Sequence, residues 1–384
     1  MNSENATYTV CFPESGKSVT VKAGTTVLQA EIAAGMVPDA PCGGQGKCGK
    51  CRILLDGEEV LACRTQVEKD CEVRPVLEGK KHAQILNDGL FRSVACEAGS
   101  LPEGTEAPVL AAVDLGSTTV VAYLMDGRTG ELLSTRSTLN PQRQYGADVV
   151  MRCSYVLEHG PEVLSSCIRE AIDRLLGEAA AEAGRRKEDI VKIVMAGNAC
   201  MHHLFLELPV DTLVRAPYVP KVKNTVKKEA SGCGIHVCQN AQLIWLPNIG
   251  GFVGADTTAC MLAAEFDKRE ELTLMVDIGT NGEMVLGNRE GYTVCSTAAG
   301  PAFEGAKITC GMRGSDGAID HVYLENSEVK FHVIGDGKPA GICGSGLLDA
   351  VHCLLQTGWM REDGSMEEPW HFSDEVFLCQ KDVR

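Results

Sequence analysis

From Thr7 to Phe12 apolar and polar positions alternate, with Tyr8, Val10 and Phe12 in phase. After the turn residues Glu14-Ser15-Gly16-Lys17 the alternation resumes from Ser18 to Lys22. A period of two in two short runs split by turn residues predicts a β-hairpin. The next stretch changes period. Thr25-Thr26 supply a cap, Val27, Leu28 and Ile32 are apolar, and Gly35 closes the run, which predicts a short amphipathic helix packed on the hairpin. Beyond a loop rich in Gly and Cys, Arg52 to Leu55 and Val60 to Ala62 flank the turn signal Asp56-Gly57, and Cys71 to Val76 alternates again. Strand, strand, helix, Cys loop and strands is the order of a β-grasp domain, expected over residues 1–77.

Residues 78–108 lose this patterning. Gly79, Gly99, Pro102, Gly104 and Pro108 mark a linker, with one short helix expected over 83–94. At Val109 strands return: Val109 to Asp114, Thr119 to Met125, the turn 126–130, then Glu131 to Arg136. A long helix is predicted from Pro161 to Ala183, its stripe formed by Val163, Leu164, Ile168, Ile172, Leu175 and Leu176. Strand Val191 to Ala196 runs into Gly197-Asn198 and another helix. Leu272 to Gly291 then repeats the opening plan, with an apolar strand ending in Asp277, a small-residue turn, and a second strand from Glu283 to Leu286. Two similar units about 160 residues apart predict two like-folded halves around a cleft, over 109–265 and 266–384.

Composition adds exclusions. The chain has 384 residues, 52 acidic against 36 basic side chains and a formal charge of -16, with 8 basic and 10 acidic side chains in residues 1–77, so the acidity belongs to the larger part. No long basic run offsets it, which argues against a reader of nucleic-acid backbones. The N-terminus lacks a basic segment followed by an apolar one, and no stretch approaches the roughly 20 apolar residues of a membrane span. A cytoplasmic protein is expected. Its 18 cysteines then belong to no secreted disulfide framework, and most are expected to be small buried hydrophobes.

Four cysteines stand apart. Cys42, Cys48, Cys51 and Cys63 have the spacing C-x5-C-x2-C-x11-C, three of them in a Gly-rich loop and the fourth after the next strand. Such a loop wraps closely and points N–H groups at sulfur, as a [2Fe-2S] cluster requires. Zinc is the weaker alternative, because structural zinc sites pair ligands as two short knuckles and only Cys48 and Cys51 are so paired. Cys11 and Cys71 are expected to pack in the same domain, and His202-His203 to serve structure.

The second candidate chemistry lies in two turns. Asp114-Leu115-Gly116-Ser117-Thr118-Thr119 puts an acid at the end of a strand before small and hydroxylic residues, which can cradle phosphate oxygens while Asp114 faces hydrated magnesium. Asp277-Ile278-Gly279-Thr280-Asn281 offers the arrangement again. One such turn is weak; a duplicated pair predicts a nucleotide site, with Asp114 and Asp277 catalytic and facing each other across one cleft.

The pair resembles the phosphate motifs of the superfamily that contains actin, sugar kinases and chaperone ATPases, and Ala196-Gly197-Asn198-Ala199 its first connecting motif. Together with the cysteine spacing, Pro247 to Asp256, Ala299 to Gly305 and Gly341 to Asp349 resemble the reductive activators of corrinoid proteins. The resemblance implies a [2Fe-2S] ferredoxin-type β-grasp domain followed by an α/β actin-like ATPase domain of duplicated ribonuclease H-like halves. It implies ATP and magnesium bound through Gly116, Ser117, Thr118, Thr119, Gly197, Asn198, Gly279, Thr280 and Asn281. The activity implied is ATP-dependent return of a cob(II)amide protein to cob(I)amide in support of methyl transfer. The partners would be that corrinoid protein and an upstream electron donor, with a homodimer left open. The family usually carries an extra module before the first turn and continues past the segment ending at Arg384, so the second half is expected to be incomplete and to bind ATP weakly. A non-catalytic electron carrier or redox sensor with a nucleotide-binding part, and a sugar-kinase-like phosphotransferase, are the alternatives.

Overall fold

The computed structural model describes residues 6–36, 38, 40, 44, 46, 51–75, 107–146, 148–279, 281–298, 308–312 and 314–383. Cys42, Cys48, Thr280, the expected helix over 83–94 and most of the linker lie outside them, as does the segment from Ala299 to Gly305. The described residues divide into two compact units, one ending at Ala263 and one beginning at Ala264.

In the first unit the alternating runs form β1 (Thr7–Phe12), β2 (Lys17–Lys22), β3 (Arg52–Leu55), β4 (Glu58–Leu61) and β5 (Cys71–Pro75), in the order β2-β1-β5-β3-β4. β1 and β5 are parallel and the other neighbours antiparallel. Between β2 and β3 lies α1 (Val27–Ala33). The Thr26 side chain accepts from the Gln29 N–H, and Gln29 accepts in return from the Thr26 N–H, a reciprocal cap that satisfies two donors at the helix start. Val27, Leu28 and Ala30 join Val10, Phe12, Ile53 and Val73 in one apolar core. Cys11 departs from expectation. It is exposed on β1, because alternation places Val10 and Phe12 inward and position 11 outward. Cys71 is half-buried against the core.

A six-stranded sheet follows, in the order β10-β11-β9-β6-β7-β8. It comprises β6 (Val109–Leu115), β7 (Thr119–Asp126), β8 (Leu132–Leu139), β9 (Ile190–Gly197), β10 (Val226–Glu229) and β11 (Gln242–Trp245). β6, β9 and β11 are parallel, while β6-β7-β8 is an antiparallel meander. Helix α2 (Val149–His159) and the long α3 (Glu162–Glu182) come between β8 and β9. α4 (Ala199–Leu206) and the short α5 (Asp211–Val214) follow β9, and α6 (Ala255–Ala263) follows β11. The stripe of α3 is buried as its spacing predicts, except Val163, which is 45% exposed at the helix start. α3 covers β7 and β8. Residues on the inward phase of β6, namely Val109, Ala111, Val113 and Leu115, are buried, and this leaves Asp114 on the outward phase and exposed.

The second unit opens with an antiparallel meander of β12 (Thr273–Ile278), β13 (Asn281–Asn288) and β14 (Gly291–Ala298). It parallels β6-β7-β8, with a difference: β6 has β9 on its far side, whereas β12 pairs only with β13 among the described residues. Leu274, Val276 and Ile278 are accordingly about half exposed. β15 (Ala318–Glu325) pairs with β16 (Glu328–Val333) and β17 (Gly341–Ile342), and α7 (Gly344–Gln356) packs on β15 through Leu347, Ala350 and Leu354. Asp349 fixes that contact by accepting from the Val322 N–H at 3.2 Å and meeting the His321 ring.

Glu31 of α1 is 6% exposed, and its Oε2 has no hydrogen-bond partner among the described residues. Burial pushes its carboxyl up to about 7. Between pH 4.5 and 7 the folded chain holds a proton that the unfolded chain has released, so stability falls as pH rises through that window. Glu31→Gln should therefore stabilise the first sheet at pH 8, by at most about 3 kcal/mol, and change little at pH 4. Hydrogen exchange of the β1 and β5 amides in the whole chain measures this; equal protection of both forms at pH 8 would refute it.

Candidate functional site

The cysteine end of the first sheet is set by backbone geometry. The Ala62 N–H donates to the Cys51 carbonyl at 2.8 Å, and the α1 amides of Val27 and Leu28 donate to Thr65 and Ala62, so the start of β3, the end of β4 and the helix converge. Cys51 and Cys63 thereby meet with their Sγ atoms 3.2 Å apart, Cys51 buried and Cys63 half-buried. Two thiolates on one tetrahedral metal with bonds near 2.3 Å stand roughly 3.8 Å apart, so a small opening would admit one. Gly44 and Gly46 both hold positive φ, at 80° and 71°. A Cβ on Gly44 would press on Leu28 at 3.0 Å, and the Gly46 carbonyl accepts from Arg64 Nη2 at 2.8 Å, so these two glycines lie close to the helix and to the segment after Cys63. The donor set and the close-wrapped glycines fit a metal–sulfur centre. Among the described residues, which exclude Cys42 and Cys48, there is no group of three or more metal-binding side chains.

The first glycine turn links β6 to β7. Its carbonyls are all committed: Gly116 accepts from Asn140 Nδ2 at 2.8 Å, Ser117 from Arg152 Nη2 at 2.6 Å, and Thr118 from the Asn140 N–H at 2.9 Å. In a planar trans peptide the C=O of one residue and the N–H of the next point in opposite directions. The N–H groups of Ser117, Thr118 and Thr119 therefore point away from these donors, which is the orientation that receives an anion. Asn198 closes the side of the turn. Its Nδ2 donates to Ser117 Oγ at 2.9 Å, while its Oδ1 caps α4 by accepting from the Met201 N–H at 3.0 Å. Gly197 and Gly254 permit this approach. A Cβ on Gly197 would lie 2.5 Å from the Leu115 carbonyl oxygen, and one on Gly254 2.5 Å from Asn198 Cα.

The structure thus brings Gly116, Ser117, Thr118, Thr119, Gly197 and Asn198 to one place, with Asp114 exposed at the strand end. Asp114 also raises the neighbouring Tyr123 phenol, whose burial is the larger cause. Sequence reasoning missed Asn140 and Arg152, which hold the turn from beneath. Asn140-Pro141 was a readable cap signal, since the Asn140 side chain caps the 3-10 turn that follows, but a buried Arg carries no sequence signal.

The second turn belongs to the other unit. Asp277 is half-buried, and burial raises its carboxyl. It lies directly across from Glu283 on β13, and Glu283 accepts from Ser296 Oγ at 2.9 Å. Like charges directly opposite on antiparallel strands repel, so a cation would favour the pair. Gly279 donates to the Asn281 carbonyl at 3.1 Å and Asn281 is exposed.

His202 and His203 are structural. His203 donates from Nδ1 to the Ala199 carbonyl at 2.7 Å and accepts from the Lys221 N–H at Nε2, which fixes a neutral tautomer. His202 accepts from Asn248 Nδ2 at 3.1 Å, and burial with a lesser contribution from His203 holds its pKa down to about 4.

Residues 110–269 match the family described as the RACo middle region, and 271–377 the C-terminal domain of RACo, the ASKHA domain. A corrinoid activation enzyme, RamQ, of Eubacterium limosum is 31% identical over 93% of this chain and 72% of its own length. A reductase of a Co(II) methylated amine-specific corrinoid protein, from Methanosarcina barkeri, is 31% identical over 56% of this chain and 40% of its own. Among solved structures, a reductive activator for a corrinoid, iron-sulfur protein superposes with a TM-score of 0.63 at 26% identity, covering 98% of this chain and 80% of that one. With its duplicated glycine hairpins on an actin-like scaffold, the chain belongs to the family of reductive activators of corrinoid proteins.

Proposed function

We propose that this chain is an ATP-dependent enzyme that returns the cobalt(II) form of a corrinoid protein to cobalt(I) for methyl transfer, drawing electrons from an upstream donor. The observation that carries the reading is the meeting of Cys51 and Cys63, 3.2 Å apart, at one end of a sheet with β-grasp order, in a chain of this family. Cys42, Cys48, Cys51 and Cys63 would hold a [2Fe-2S] cluster, which supplies a one-electron centre with a potential near about -400 mV if of plant type. Around it, Gly44 and Gly46 bring backbone close, and Arg64 holds the Gly46 carbonyl.

In the rest of the chain, the inward carbonyls at 116–118 leave the N–H groups of 117–119 to receive a phosphate, Asn198 orients the Ser117 hydroxyl, and Asp114 would hold hydrated magnesium. Asp277, Gly279, Thr280 and Asn281 would form a second phosphate-binding turn. Nucleotide binding then biases the conformation that receives the corrinoid partner, since a ligand shifts an equilibrium by its differential affinity for the two states. No described helix is long and apolar enough to cross a membrane.

Anaerobically prepared protein should contain about two iron and two sulfide per chain, as a [2Fe-2S] centre requires. Cys63→Ser should lose the visible absorbance, whereas Cys71→Ser should keep it. Colourless protein with stoichiometric zinc would sink this reading of the cysteines.

Asp114→Asn should weaken magnesium-dependent ATP binding by about tenfold or more, equivalent to about 1.4 kcal/mol, with the cluster spectrum unchanged. Equilibrium binding of a fluorescent ATP analogue checks this, and equal affinity of both forms counts against the nucleotide site. Reduction of the corrinoid partner at the same rate with and without ATP would favour the electron-carrier alternative.

A further inference from the structure

Cys153 lies on α2 next to Arg152, and Cys200 lies on α4 two residues beyond Asn198. Sequence spacing kept them apart, yet their Sγ atoms are 3.3 Å from each other in the core of the first unit. The two helices they join are those that hold the first glycine turn. Arg152 is fully buried and reaches the Ser117 carbonyl at 2.6 Å, and Asn198 reaches the Ser117 hydroxyl at 2.9 Å. A disulfide closes to about 2.05 Å, so forming one would draw the sulfurs together by about 1.2 Å. Packed interiors pass on displacements of that size instead of absorbing them.

The two thiols are also chemically unequal. The hydrogen bond the two share, with help from the Arg152 charge, holds the Cys153 thiol below its ordinary value, while the same bond and burial push Cys200 up. The guanidinium of Arg152, next to Cys153 in the chain, favours a thiolate there, with the Cys200 sulfur 3.3 Å away to resolve it.

We propose that Cys153 and Cys200 are an oxidisable dithiol, a modification site at which a hydroperoxide forms a disulfide that displaces the Ser117 turn and weakens nucleotide binding. The Cys153 thiolate attacks one oxygen of hydrogen peroxide; the O–O bond breaks, hydroxide leaves and takes a proton to become water, and a sulfenic acid remains. The Cys200 sulfur then attacks the Cys153 sulfur, the S–O bond breaks and a second water leaves. Two thiols have lost two electrons and two protons, and the peroxide has become two waters. The effect on nucleotide rests on the function proposed above; the formation of the disulfide does not.

The test exposes the whole chain, prepared anaerobically, to one equivalent of hydrogen peroxide, followed by alkylation and non-reducing tryptic digestion. A linked pair of peptides 153–169 and 193–215 is expected. Because the first also contains Cys167, the link should survive Cys167→Ser and vanish in Cys153→Ser and Cys200→Ser. Exchange of the amides of 116–119 should change on oxidation and return with dithiothreitol. ATP affinity should fall about fivefold or more in the wild type and stay constant in Cys200→Ser. Free thiols at both positions after treatment, or a link that persists in Cys153→Ser, would overturn the dithiol. A disulfide with unchanged exchange at 116–119 would overturn the coupling. A disulfide that shifts exchange in protein binding no ATP in either state would support the dithiol and its coupling and refute the nucleotide reading instead.

Discussion

A guanidinium buried in the first unit is the constraint around which the candidate nucleotide site is organised. Taking a charge out of water costs several kcal/mol even after relaxation, and Arg152 offsets this by donating to the carbonyl oxygens of Gly146 and Ser117 and to the Met201 sulfur. Burial still lowers its pKa to about 10, far enough above neutrality to keep the charge. The same contacts that keep the cation hydrogen-bonded hold the turn by its carbonyl side. The outward face of the turn is a consequence of what the inward face must satisfy. Asn140, also fully buried, completes that inner layer with two bonds of its own.

The two D-x-G hairpins show how one local pattern is used in different surroundings. In both, the aspartate precedes the glycine by two residues, but Asp114 pairs with Val121 and Asp277 with Glu283, so the second connection is one residue shorter. The first hairpin rests on a parallel neighbour strand and a covering helix, and its carboxylate is exposed at the strand end. The second has a carboxylate across from it and partial burial. An acid raised by burial and opposed by another acid is the more dependent of the two on a cation.

Periodicity located the strands of both hairpins and the long helix, because each buries a face whose apolar spacing is its own signature. α2 escaped notice for the opposite reason: Val149, Val150, Met151, Cys153, Tyr155, Val156 and Leu157 are apolar around most of its circumference, while its most buried residue includes the charged Arg152. β12 was legible as an apolar strand, yet its burial depends on neighbours that a local pattern does not specify. The cysteine spacing singled out Cys51 and Cys63, which the fold brings together. The meeting of Cys153 with Cys200 was not legible, since they are 47 positions apart with α3 and β9 between them. The structural role of His202-His203 was legible in the absence of any ligand-spaced partner.

Gly197, Gly251 and Gly254 have a mechanical consequence. At each, a side chain is excluded by backbone atoms: the Leu115 carbonyl, the Tyr218 carbonyl, and Asn198 with Ala199 respectively. Where side chains separate two elements, rotamer changes take up small motions; where backbone touches backbone, nothing compressible lies between them. The first turns of α4 and α6 therefore form a stiff joint, braced through Gly197 against the end of β6. A push on the loop from Pro247 to Gly254 reaches Asn198, and through it the Ser117 hydroxyl, with little lost on the way.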